Sequence, residues 1–79
     1  MNTFSLSNIS LAKFRRFLFE AGCTRIGING GHEKWKLAGC TRSLIIQTHI
    51  DPVPERIVRS TLKDMQISRT DFIAIMRRL

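Results

Sequence analysis

The residues best suited to chemistry sit in one stretch, INGGHEKWKLAG, at positions 28–39. It sets His32 directly after Gly30 and Gly31, with Lys34 and Lys36 at the following alternate positions. Successive side chains of a strand point to opposite faces, so His32, Lys34 and Lys36 would share one face and Glu33, Trp35 and Leu37 the other. An imidazole exchanges protons near neutral pH, and ammonium groups beside it attract phosphate. On RNA, a base there that removes a 2′-hydroxyl proton lets that oxygen attack the adjacent phosphorus, with no water needed in the first step. Acid–base catalysis of this kind contributes about 10²- to 10⁴-fold, and Lys34 or Lys36 would offset the charge that grows on the phosphorane. Gly30 and Gly31, lacking β-carbons, permit positive φ and let a backbone or sugar-phosphate come close. The same pair also suits a plain hairpin turn.

Other constellations are weaker. Cys23, His32, Cys40 and His49 are spaced 9, 8 and 9 apart, whereas structural zinc sites bring ligands in close pairs; no metal and no cofactor is expected. GINGG lacks both the Walker pattern and a following helix. Trp35 could stack a base, but its strand parity and its neighbour Leu37 assign it to the core. Cys23 and Cys40 read as reduced packing thiols, not nucleophiles.

Helices and strands must position these groups. Residues 8–21 place Leu11, Phe14, Phe17, Leu18 and Ala21 at helical spacing, with Lys13, Arg16 and Glu20 opposite, Ser7 or Ser10 as N-cap and Gly22 as the left-handed terminus. The period then becomes 2. CTRIGIN would turn Ile26 and Ile28 inward, HEKWKL Trp35 and Leu37, and SLIIQTH Leu44 and Ile46, separated by turns at Gly30-Gly31 and residues 38–42. Helical spacing returns in DPVPERIVRSTLKDM, where Asp51 and two prolines mark the start, Val58, Thr61, Leu62 and Met65 form the inner stripe, and Arg56, Arg59 and Lys63 lie outside. Ser68, followed three residues later by Asp71, opens a short last helix bearing Phe72, Ile75, Met76 and Leu79. The order α-β-β-β-α-α predicts an α+β two-layer sandwich: a three-stranded antiparallel sheet with helices on one face and the other left for water or a ligand.

The totals agree with one domain over residues 1–79, with no repeats or linkers. Thirteen Lys and Arg against six Asp and Glu give a net charge of +7, a field that draws polyanions: nucleic acid, an acidic protein or an anionic surface. The basic residues are spread along the whole chain, which assigns the charge to a folded surface. No run approaches the roughly 18 apolar residues needed to span a bilayer, and MNTFSLSNIS lacks the basic-then-apolar pattern of a secretory signal. The expectation is a cytoplasmic protein without membrane attachment.

The order of elements, the GGH at the start of the second strand with an aromatic three residues on, the TH closing the third, and RSTLKDMQIS, similar to a segment of the RSILKQAGLS type, together resemble the HicA-type (YcfA-like) mRNA interferase toxins over roughly residues 9–76. The resemblance implies a double-stranded-RNA-binding-domain-like fold, mRNA cleavage without a metal cofactor, and His32 as the catalytic histidine. It also implies a HicB-type antitoxin that covers His32, with the toxin monomeric alone and oligomeric in that complex. Lys34 and Lys36 would hold RNA phosphates, and Arg56, Arg59 and Lys63 on the following helix either do the same or form a solvated charged face. Gly31 stands where the family usually has Ser or Thr, which removes a hydroxyl available to orient the imidazole or touch phosphate. The turn AGCTR replaces a DGR-like one. His49 is either a second group of the site, one candidate with Lys34 and Lys36 for donating a proton to the leaving oxygen, or a residue that orders the loop. Two other readings stay open on the same fold: a non-catalytic RNA-binding module, and a basic protein-interaction domain.

Overall fold

The computed structural model describes residues 6–79. Helix α1 (Leu11–Glu20) is followed by strands β1 (Thr24–Asn29), β2 (His32–Lys36) and β3 (Ser43–Gln47), then helices α2 (Glu55–Met65) and α3 (Arg69–Arg77). The chain is a small α+β domain whose sheet is antiparallel in the order β1-β2-β3.

Serine hydroxyls cap the starts of α1 and α3, and α2 starts at a proline with no side-chain cap. At α1 the Ser10 hydroxyl accepts from the Lys13 amide at 3.1 Å, and of the two serines it is Ser10 that caps. Its far end closes with Cys23 N–H donating to Leu18 O at 2.9 Å and Gly22 N–H to Phe19 O at 3.0 Å, around Gly22 at φ 89°. That left-handed turn is one that only a residue without a β-carbon adopts cheaply. Asp51, expected to punctuate the start of α2, caps α1 instead: its Oδ1 accepts from the Leu11 amide at 3.0 Å. Pro54 stands at the start of α2, and the Ser68 hydroxyl accepts from the Asp71 amide at 3.0 Å to open α3.

The apolar stripes meet in one core. Phe14, Phe17, Leu18, Trp35, Val58 and Phe72 are fully enclosed, and Phe17 meets Phe72 edge-on with ring centres 4.8 Å apart. Trp35, Leu37 and Ile46 supply the sheet's share; Leu44, Met65, Ile75 and Leu79 pack against it half-buried. Leu6 and Ile9, ahead of α1, also join this core, and Ile9 O accepts from the Val53 amide at 2.8 Å. Cys23 is buried and Cys40 half-buried, both as free thiols. No helix among the described residues is long and apolar enough to cross a membrane.

Two expectations for the strands need correction. Ile26 and Ile28 do not enter the core; they are 51% and 61% exposed. The register slips between Arg25 and Gly27, which makes Ile26 the extra residue of a bulge and breaks the alternation. All of β1 is an exposed edge that the helices leave uncovered. The third strand also stops at Gln47, before Thr48 and His49, where Ile50 N–H turns back to Gln47 O at 3.2 Å.

Candidate functional site

Strand β2 alternates as its sequence predicts: His32, Lys34 and Lys36 are exposed, while Glu33 and Trp35 are buried. Directly paired residues of an antiparallel sheet share a face. Register therefore places His32 between Asn29 and Gln47, Lys34 between Gly27 and Ile45, and Lys36 between Thr24 and Ser43. At about 3.3 Å per residue, alternate side chains stand about 6.6 Å apart. The result is one imidazole and two ammonium groups in line along the centre of an uncovered sheet face. Glycine opposite Lys34 leaves space on one side of it.

The two glycines ahead of His32 have different tasks. Gly30 takes φ 61°, and a β-carbon there would meet nothing within 4 Å, so its role is the backbone conformation of the hairpin turn. Gly31 is where the close approach occurs, and the approaching group belongs to the protein itself. A β-carbon on Gly31 would lie 3.4 Å from Nδ1 of His49 and 3.9 Å from Oγ1 of Thr48. Thr48 is fastened there twice, its amide donating to Gly31 O at 2.7 Å and its hydroxyl to the same oxygen at 3.1 Å. A second imidazole is thereby held against the residue that precedes His32.

The helix cations separate into two groups. The core contacts of Val58, Thr61 and Leu62 put α2 on the covered side of the sheet. Arg59 and Lys63 face solvent on that layer, away from His32. Arg59 is also engaged by Glu55 one turn back, Nε to Oε2 at 2.8 Å. Of the three α2 cations named, Arg56 alone reaches the sheet, where it lines a groove with Ile45 and Gln47 of β3. The structure thus brings Lys34 and Lys36 to His32's face, His49 to its turn and Arg56 to the sheet edge, and leaves Arg59 and Lys63 behind.

One strong polar centre escaped the sequence reading. Glu33, 2% exposed, takes Arg15 Nε on Oε1 at 3.2 Å and Arg15 Nη2 on Oε2. Oε1 also accepts from Trp35 Nε1 at 3.0 Å, and Arg25 stands 3.8 Å from Oε2. Burial alone would push this carboxyl up; the hydrogen bonds from Arg15 and Trp35 and the charges of Arg15 and Arg25 outweigh it and hold it below its usual value. A carboxylate sharing the inward parity of Trp35 and Leu37 was the available signal, because such a charge must be paired. The buried Cys23 thiol is raised by burial, the opposite of what a nucleophile needs.

No family model matches the chain, and no curated protein or solved structure does so either. Function therefore rests on the geometry and on the resemblance carried by the motifs. Among the described residues, no three His, Cys, Asp or Glu side chains cluster to hold a metal ion.

Proposed function

We propose that the chain is the toxin of a type II toxin–antitoxin pair, a HicA-like endoribonuclease on a double-stranded-RNA-binding-like fold that cleaves mRNA in the cytoplasm. The observation that carries this reading is the exposed line of His32, Lys34 and Lys36 on the helix-free face. RNA held by the two lysines presents a 2′-hydroxyl to the His32 imidazole, which removes its proton. The oxygen then forms a bond to phosphorus, the P–O5′ bond breaks, and the departing oxygen takes a proton. A 2′,3′-cyclic phosphate and a 5′-hydroxyl remain. This step uses only groups of the chain and the substrate. His49, seated on Gly31, is one candidate donor of the second proton, with Lys34 and Lys36. A HicB-type antitoxin covering the same face would keep the toxin silent in a larger complex.

One observation favours the second reading, a non-catalytic RNA-binding module. Among the described residues, no hydrogen bond or ion pair to another side chain orients the His32 ring, whereas catalytic bases are commonly held by a third group. Expression in bacteria decides between them. Growth arrest by the parent and none by His32→Ala, with RNA cut in EDTA to cyclic-phosphate ends, supports the nuclease. Intact RNA with salt-sensitive binding that His32→Ala leaves unchanged selects the binding module.

A further inference from the structure

The two margins of the sheet are built differently. In the β2–β3 ladder, Leu37 N–H donates to Arg42 O at 3.2 Å and Thr48 N–H to Gly31 O at 2.7 Å. These bonds bracket the strand pair and fix its phase: Leu44 and Ile46 turn their backbone groups toward β2, and Ser43, Ile45 and Gln47 turn theirs outward. Among the described residues, nothing pairs with the N–H and C=O of Ser43 and Ile45 or the N–H of Gln47. Beneath this row lies a groove of about 100 Å³ between β3 and the start of α2, lined by Ile45, Gln47, Ile50, Pro54, Arg56 and Ile57. At the other margin, the bulge at Ile26 disrupts the row of backbone groups and Arg25 folds toward Glu33, both devices that blunt an edge against strand addition.

We propose that the outer edge of β3 and its groove receive an extended, acidic segment of a partner protein as a fourth strand. Main-chain bonds to Ser43, Ile45 and Gln47 would supply the ladder. Alternate side chains of the added strand then fall on opposite faces. Those on the helix side enter the groove, where Arg56 stands, and those on the open side come beside Ile45, with Lys34 one strand further in, about 10 Å away and within reach of a long side chain. Charge selects the occupant. Neither Arg56 nor Lys34 has an ion-pair partner among the described residues, no carboxylate lines the groove, and a net charge of +7 sets a second copy of the chain against the first. The matching pattern is acidic and apolar residues in alternation. The inference is independent of RNA cleavage, because it uses none of the His32 chemistry.

Selecting a phage-displayed random eight-residue library on the full chain tests it. Enriched peptides should alternate acidic and apolar residues. The synthetic consensus peptide should slow amide hydrogen exchange at Ile45 and Gln47 by tenfold or more. N-methylation of the peptide amides that face β3 should weaken binding at least tenfold, while methylation of the intervening ones should not; this control leaves the protein unaltered. Arg56→Glu should weaken binding as well. An empty selection, peptides that protect β1 or the helices instead, or indifference to the phase of N-methylation would overturn the proposal. So would a single-stranded RNA that protects the same two amides, or a dimer of the free chain that Ile45→Lys dissolves.

Discussion

The two faces of β2 hold ionic groups of opposite purpose. On the covered face, a single carboxylate, Glu33, is surrounded by two guanidinium groups and an indole N–H, and both of its oxygens are hydrogen-bonded inside the fold. On the open face, His32, Lys34 and Lys36 have no such partners among the described residues and stand in solvent. Charges that are satisfied internally hold a structure together; charges left unsatisfied on a rigid strand are available to something else. The comparison teaches that burial and pairing, more than residue type, separate the stabilising groups from the candidate functional ones.

Substitutions on the two faces should therefore affect different measurements. The largest effect expected is on activity: His32→Ala lowers the rate of RNA cleavage by about 10²- to 10⁴-fold and leaves the melting temperature in place. A fall in stability on that substitution would break the contrast. On the covered face, Glu33→Ala strands Arg15 and Trp35 and costs about 2 kcal/mol by denaturant unfolding, toward the lower end for a buried pair because the guanidinium reaches water. RNA affinity should not follow.

Acid sharpens the same point. The Glu33 carboxyl is held below its usual value of 4.5 in the folded chain. Its stabilisation is then fully present above 4.5 and is lost as pH falls through the lower, folded value. Thermal unfolding of the parent from pH 6 down to pH 3 should show this loss, and Glu33→Gln should flatten that part of the curve.

Smaller effects belong to the turn and the lysines. Gly30→Ala forces a β-carbon into φ 61° and costs about 1 kcal/mol. Gly31→Ala, set at ordinary contact distance from His49, should change stability by under about 0.5 kcal/mol. Lys34→Ala and Lys36→Ala should each reduce the slope of log affinity for RNA against log salt by about 1, uniformly across sequences.

How far the sequence announced this arrangement differs by strand. In β2 the alternation was legible, because a two-residue turn leads straight into five regularly paired residues and each parity has one chemical character. The six-residue β1 was not legible. Ile26 and Ile28 look inward by type, yet Gly27 between them marks a bulge, and edge exposure overrides their hydrophobicity. Helix boundaries followed from apolar spacing and from Ser10, Gly22 and Ser68, whose caps act within a few residues. Asp51 was misplaced because its partner, Leu11, is forty residues away, and Arg15–Glu33, eighteen residues apart, also joins separate elements. The candidate site was readable as far as His32, Lys34 and Lys36, which one strand positions. Arg59 and Lys63 were grouped with them by charge and by the resemblance, and the layer they occupy is a fact of packing. The seat of His49 on Gly31 depends on where a later turn falls, which no local pattern specifies.

The enclosed indole of Trp35 has a practical consequence. It is the chain's sole tryptophan, with Phe19 edge-on to it at 5.0 Å and its N–H bound to the Glu33 carboxylate. Intrinsic fluorescence excited at the indole band therefore reports from a single known location. Its emission maximum will move to the red when the covered layer opens and stay in the blue when only the opposite surface is occupied. The protein carries its own optical gauge for telling a loosened interior from a liganded exterior.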